Sequence, residues 1–408
     1  MRKEKIICGL DIGSSKILAT VVKINRQGKM DLLAAQSSQS RGINRGNVTD
    51  LANLTDSLNH VKQALFKKTG VKISEVFVGI KGTCFKTKSG KTVIPLLDRG
   101  DKVISFSDIK RVNHQARALG ADIEEEVIHE IPQSYTIDDY NVVSNPLGLY
   151  GRKIGVDLLM ITSPMGHIDN LLKALNQVGW QARRLVFSGL AASYSVLSQE
   201  EKERGCVLID MGAGTTDIMV FKDGILRELE ILPSGGIDFT ETIASGLKLT
   251  FDLAEEIKSS YATAASAEVK EEEDILIKKS SNYNPIKRKR LSEVIEPNTD
   301  QLLKMVKEKL EKSAFRKYFD AGIVVTGGNS LLEGFLEKAE SFLGLSVRMG
   351  KSKEFSLSYY KVPIYASVLG LAKLATLAVS FQTIPILGSK KIAKGMIAHI
   401  KDLYQEYF

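Results

Sequence analysis

One pattern occurs twice in this chain and restricts its fold more than any other feature. Val207 to Phe221 reads Val-Leu-Ile-Asp-Met-Gly-Ala-Gly-Thr-Thr-Asp-Ile-Met-Val-Phe: an apolar run ending in a carboxylate, a glycine-rich turn with two hydroxyls, and a second apolar run. That predicts two strands joined by a tight loop. Gly212 and Gly214 let backbone N–H groups approach a bulky anion, and Thr215 and Thr216 add hydroxyl donors, so the turn is suited to phosphate. Asp210, at the strand end, suits a water-bridged Mg²⁺, an ion that keeps most of its waters and takes one or two carboxylates. An ordinary hairpin uses the same Gly and Thr chemistry, so a single copy leaves both readings open.

The second copy is Ile6 to Val22, Ile-Ile-Cys-Gly-Leu-Asp-Ile-Gly-Ser-Ser-Lys-Ile-Leu-Ala-Thr-Val-Val. Asp11, Gly13, Ser14 and Ser15, followed by Lys16, repeat the second motif in kind and order. Two equivalent hairpins predict a duplicated α/β unit with a nucleotide's phosphates clamped in the cleft between its halves. Gly322 to Gly334 adds a third element, a buried strand running through Gly327, Gly328 and Asn329 into a helix start. Such a junction offers a flat glycine surface to a purine and a positive helix end to phosphate.

Two phosphate hairpins followed by a Thr-Gly-Gly loop resemble the actin/Hsp70/sugar-kinase ATPase superfamily, of ribonuclease H-like fold. Further stretches narrow the resemblance to the FtsA family of bacterial cell-division actin homologues. They are Arg45-Gly-Asn-Val, Val78-Gly-Ile-Lys-Gly, Ile131-Pro-Gln, Asn145-Pro-Leu-Gly-Leu-Tyr-Gly, Phe187-Ser-Gly-Leu-Ala-Ala-Ser-Tyr-Ser-Val-Leu and Leu291-Ser-Glu-Val-Ile-Glu-Pro. The resemblance runs from about residue 5 to 375 and extends to the tail. It implies bound ATP and Mg²⁺, the metal held through water by Asp11 and Asp210. In actin the helix equivalent to Gly189–Leu197 supplies a Gln that orients the attacking water. Here Ser193 and Tyr194 occupy that neighbourhood and no Gln appears before Gln199, which implies tight binding with weak or absent hydrolysis.

At 408 residues the chain exceeds one ordinary core, and 43% hydrophobic with 25% charged residues is a globular composition. The net charge of +8 leaves anionic lipid, nucleic acid or an acidic peptide open as partners. Three scattered cysteines argue against a disulfide framework and fit a reducing cytosol, the five histidines show no ligand spacing, and no secretory leader or membrane-spanning run is present.

The organisation this predicts is actin-like subdomain 1A at 1–80 and 159–197, an inserted α+β subdomain 1C at 81–158, subdomain 2A at 198–234 and 318–381, subdomain 2B at 235–317, and a linker at 382–389. Within 1C, two strand-like runs precede a helix capped near Ser107 or Asp108, and a further strand pair is broken by Pro132 and Pro146. Gly189–Leu197 is rich in small residues, as two closely crossing helices require, and 363–378 is its counterpart. Gly235 and Gly236 open a helix able to approach phosphate or ribose. Asp252 opens another, with Glu255 as a capping-box partner and Lys258 exposed; the resemblance instead places Glu255 and Lys258 against ribose and base.

The run Glu271 to Asp274 marks a solvated hairpin or loop, and Lys287-Arg-Lys-Arg290 lacks the interleaved aromatics of a nucleic-acid site, so no nucleic-acid partner is expected. An amphipathic helix follows over 291–315. The resemblance implies that 2B receives the C-terminal peptide of FtsZ, the tubulin homologue, with the basic quartet steering an acidic partner. Relatives often carry Arg where Asn298 stands. The resemblance also implies self-association into filaments and contacts of 1C with neighbouring protomers and later division proteins.

The tail, 390–408, repeats apolar residues every three or four positions: Ile392, Met396, Ile397, Ile400, Leu403, Tyr404 and Phe408, with Lys390, Lys391, Lys394 and Lys401 on the rest. Four lysines exclude spanning and predict an amphipathic helix lying in an anionic membrane surface, the rival being a helix docked on the core. Filament growth would multiply such anchors. The implied place is the cytoplasmic face of the inner membrane at the septum. The alternatives are a small-molecule kinase of the same superfamily and a pilus-assembly relative.

Overall fold

A computed structural model describes residues 5–25, 29–96, 103–279, 282–352 and 362–382. The first hairpin is β1 (Lys5–Ile12) and β2 (Lys16–Ile24), followed by β3 (Met30–Gln39), the two-residue β4 (Ile43–Asn44) and β5 (Asn47–Val48), α1 (Leu51–Thr69) and β6 (Glu75–Ile80). Helix α1 starts where the Asp50 side chain accepts from Asn53 N and stops at Gly70 in the left-handed region, and its Leu54, Leu58, Val61 and Leu65 are buried on one face.

The chain then leaves this sheet. Strand β7 (Lys86–Pro95), α2 (Phe106–Gly120), β8 (Glu125–Ile137), β9 (Asn141–Val143) and β10 (Lys153–Pro164) form a four-stranded sheet ordered β7-β10-β8-β9 with its own core around Val112, Tyr135 and Met160. Helix α2 is capped at Ser105 rather than at Ser107 or Asp108, with Asp108 as its reciprocal partner. Pro132 does not break β8. The register against β10 shifts beside it, so Gln133 bulges out and the strand continues.

The chain returns through α3 (Met165–Gln177), β11 (Gln181–Phe187) and α4 (Ser188–Val196). Trp180, between α3 and β11, is fully buried in the first core. A short α5 (Gln199–Arg204) leads into the second repeat: β12 (Cys206–Met211), β13 (Thr216–Lys222) and β14 (Ile225–Leu232). Next come α6 (Gly236–Leu247), α7 (Phe251–Tyr261), the hairpin β15 (Asp274–Lys279) and β16 (Asn282–Lys287), and α8 (Arg288–Lys312), which accommodates Pro297. Strand β17 (Ile323–Thr326), a 3-10 turn over Gly328–Leu331, α9 (Phe335–Leu343), β18 (Val347–Met349) and α10 (Val362–Gln382) complete the described chain. The glycine pair at 327–328 therefore opens a 3-10 turn rather than the α-helix predicted there.

The two large sheets share one topology. The first is ordered β11-β6-β1-β2-β3 and the second β18-β17-β12-β13-β14, each with an antiparallel meander on one side and parallel strands on the other. Both faces of β12 are buried: Cys206 and Leu208 join the core of the first half, while Val207, Ile209 and Met211 pack towards α6, α7 and α8. Helix α10 crosses back onto the first sheet, lying on β1 and against α4. At that crossing a Cβ on Gly370 would stand 1.7 Å from Ala191 O, and Ser195 Oγ donates to Ala366 O at 2.7 Å.

Gln382, predicted to open the linker, closes α10 instead. The rest of that linker and the membrane helix predicted at 390–408 lie outside the described residues. No described helix is long and apolar enough to cross a membrane.

Candidate functional site

The duplicated hairpins meet across a cleft. Gly13 N donates to Lys16 O at 3.1 Å in the first turn, and Gly212 N donates to Thr215 O at 2.9 Å in the second, so the loops repeat bond for bond. They line a cavity of about 650 Å³, within the usual range for a cofactor-sized ligand. Its walls include Asp11, Gly13, Ser14, Ser15 and Lys16 from the first half, and Asp210, Gly212, Ala213, Gly214 and Thr215 from the second. A Cβ on Gly214 would lie 2.8 Å from Ser14 Oγ, a measure of how closely the loops approach.

Asp11 and Asp210 occupy equivalent strand ends and are held differently. Asp11 accepts from Ser188 Oγ at 2.6 Å and from Ser367 Oγ at 2.7 Å. Burial raises the Asp11 carboxyl above its ordinary value, opposed by the nearby Lys81 ammonium and the two serines. Asp210 Oδ2 pairs with Lys81 Nζ at 2.8 Å. Asp217, on β13 opposite Asp210, is fully buried, and burial pushes it up to about 7 against the opposing pull of the Lys81 ammonium and the Thr215 hydroxyl. Lys81 is the feature that motif reading missed. Its segment served only as a resemblance, although a lysine following a buried strand and followed by glycine was itself a signal.

The far wall is built from α6, α7 and the 327–329 turn. Gly327 needs its left-handed backbone (φ 88°) and its missing side chain, since a Cβ there would stand 2.3 Å from Met211 O. Asn329 lines the cavity, and its buried Nδ2 has no hydrogen-bond partner among the described residues, a donor fit for a bound group. Helix α7 is capped by Thr250 rather than Asp252, because the Thr250 hydroxyl accepts from Leu253 N. Glu255 is thereby free of capping and accepts from Thr240 Oγ1 and from Lys258 Nζ, the latter at 2.6 Å. Lys258 Nζ also donates to Gly236 O at 2.8 Å and to Thr240 Oγ1 at 2.7 Å, and both Glu255 and Lys258 line the cavity.

Two predicted residues face elsewhere. Thr216 is buried and donates to Ser234 O at 2.8 Å, which fixes the second hairpin, while Gly235 N donates to Asp238 Oδ2 at 2.7 Å at the start of α6. Neither is among the lining residues; Gly236, Gly328 and Lys16 are. Sequence reading also missed other lining residues, Ser259, Ser260, Leu331 and Leu332 among them. Above the phosphate loops, the β4–β5 turn reaches across the cleft. Arg45 Nη2 pairs with Asp238 at 2.6 Å, its Nη1 donates to Pro233 O, and Gly46 N donates to Ser14 Oγ at 2.9 Å.

Comparison with known proteins decides between the superfamily's branches. The cell division protein FtsA of Pseudomonas aeruginosa is 32% identical over 375 residues, covering 91% of this chain and 89% of that protein. The chain belongs to the FtsA family of cell-division proteins. The FtsA of Escherichia coli K12 is 30% identical over 379 residues, 90% of each protein. The family model described as "Cell division protein FtsA" matches residues 207–370, and that of the "SHS2 domain inserted in FTSA" matches 86–162, the stretch from the start of β7 almost to the end of β10. Among solved structures, the PilM-PilN type IV pilus biogenesis complex superposes with a TM-score of 0.66 at 20% identity, covering 91% of this chain and 98% of that one. MreB 5 of Spiroplasma citri bound to AMPPNP superposes with a TM-score of 0.56 at 12% identity, covering 93% and 98%. These two likenesses give this FtsA-family chain its actin-like fold.

Proposed function

We propose that this chain is an ATP-binding cell-division filament protein that polymerises on the cytoplasmic face of the inner membrane at the septum, anchors the FtsZ ring there and recruits later division proteins. The observation that carries the reading is the pair of equivalent hairpins facing each other across a nucleotide-sized cavity. Gly13 to Lys16 and Gly212 to Thr215 would hold the phosphates, Glu255 and Lys258 the ribose and base, and Gly327, Gly328 and Asn329 the adenosine. Asp11 and Asp210 would hold Mg²⁺ through water, where the metal would screen phosphate charge. The residues present fit the nucleotide, given the Asn329 Nδ2 donor left without a partner among the described residues and the glycine cradle.

Hydrolysis is expected to be slow. Ser193 is turned inward to Leu190 O, Gln199 bonds Glu203 on the surface, and neither is among the lining residues. The subdomain limits follow the same reading, with 1C between β6 and α3 and 2B carrying the β15–β16 hairpin and α8. At that surface the basic quartet is matched by acidic residues: Lys287 to Asp274, Arg288 to Glu273 and Glu333, Lys289 to Glu271 and Arg290 to Glu293. Net charge would therefore contribute little to holding an FtsZ peptide there, and the apolar face of α8 is itself buried in the second core, so the contact would fall on exposed side chains of 2B.

The test is titration of a fluorescent ATP analogue with Mg²⁺. The full chain is expected to bind, Asp11→Ala and Asp210→Ala to lose binding by at least about tenfold, and unchanged affinity in both would reject the reading. Deleting Lys390–Phe408 is expected to abolish co-sedimentation with anionic liposomes while nucleotide binding persists; a truncated chain that still sediments rules out the tail as anchor.

A further inference from the structure

Three acidic side chains and one ammonium converge at the base of the cleft. Asp11 is satisfied by two serines, Asp217 is fully buried opposite Asp210, and Asp210 spends Oδ2 on Lys81. Gly327 is pressed against the other Asp210 oxygen, since a Cβ there would stand 2.6 Å from Oδ1. Lys81 is only 13% exposed and feels the charge of all three carboxylates. It is carried by the first half, on the connection between β6 and the inserted β7, whereas Asp210 and Asp217 belong to the second. The contact is thus both a charge balance and a bolt across the cleft.

A divalent cation approaching Asp210, directly or through water, must share that carboxylate with an ammonium 2.8 Å from its Oδ2, and two cations held by one carboxylate repel strongly in a poorly hydrated cleft. We propose that Lys81 is the cleft's own cation, that it competes with divalent metal for Asp210, and that metal entry requires the ammonium to leave that carboxylate. The inference rests on the nucleotide-site reading above and adds a residue that sets how strongly metal is held and ties metal occupancy to the connection leading into the inserted domain.

The experiment measures Mn²⁺ alone, by electron paramagnetic resonance of the free ion, against the full-length chain. Lys81→Met is expected to bind Mn²⁺ at least roughly tenfold more tightly than the unaltered chain, Lys81→Arg to behave like it, and Lys81→Met combined with Asp210→Asn to lose the gain. Equal or weaker Mn²⁺ binding in Lys81→Met overturns the proposal. Circular dichroism checks that the variant folds. Should it not fold, amine acetylation of Lys81 in the unaltered chain decides: labelling followed by mass spectrometry is expected to rise several-fold when Mn²⁺ is added, and unchanged labelling overturns the proposal. Nucleotide titrations of the unaltered chain run in parallel. Their failure would refute the nucleotide reading, whereas a Lys81 variant with unaltered metal affinity refutes only this inference.

Discussion

Ser188 and Ser367 come from separate parts of the sequence to the same carboxylate, and each donates a buried hydrogen bond to Asp11. Replacing either by alanine is expected to cost about 1–3 kcal/mol in urea unfolding, because an acceptor is left buried with fewer donors. Lys202 is a second buried polar group with a measurable consequence. It is 4% exposed, donates to Ser193 Oγ at 3.1 Å and lies 4.2 Å from the Tyr194 ring centre and 5.1 Å from that of Phe221. Burial pulls its pKa down to about 7. The unfolded chain therefore binds this proton up to about pH 10.5 and the folded chain only to about 7, so this residue's contribution makes stability rise with pH across that window and leaves its full cost below it. Lys202→Met is expected to raise the melting temperature at pH 7 and to flatten that rise; an unchanged profile would show that the aromatic rings fully compensate the burial. At this scale the glycines and carboxylates were legible in the sequence, because their chemistry is local. The serines, Lys81 and Lys202 were not, because their roles arise from segments the fold alone brings together.

The crossing of α4 and α10 is an element whose cause could be read directly from composition, since only small side chains permit such an approach. Gly370→Ala is expected to force the helices apart and to lower stability by more than about 2 kcal/mol, read as a fall in the denaturation midpoint. The bulge in β8 had no such signal. Pro132 reads as a strand breaker, yet the extra residue it imposes turns Gln133 outward to the edge strand of the second half. Gln133 Nε2 donates to Leu226 O at 3.0 Å, and Arg227 Nη1 donates back to Gln133 O at 3.0 Å. Gln133→Ala is expected to increase amide exchange along β14 without unfolding either sheet, and unaltered exchange there would deny the contact a fastening role. Helix starts were misplaced by two or three residues at α2 and by two at α7 for one reason: several Ser, Thr and Asp stand close together, and only the backbone decides which hydroxyl or carboxylate faces a free N–H.

For the whole molecule, the repeated hairpin announced the duplication, and the matching strand orders of the two large sheets follow from it. The inserted sheet was recognisable as a separate unit but not in its pairing, since antiparallel strands distant in sequence leave no periodic mark. The first core does not stop at the first half: it takes in α10 and one face of the second sheet. The chain's single tryptophan sits inside that shared core. Its emission is thus a natural reporter of that one core, while circular dichroism sees both cores. If the lobes melt as one cooperative body the two signals will trace the same curve, and a fluorescence transition displaced from the dichroism would reveal that they come apart in sequence.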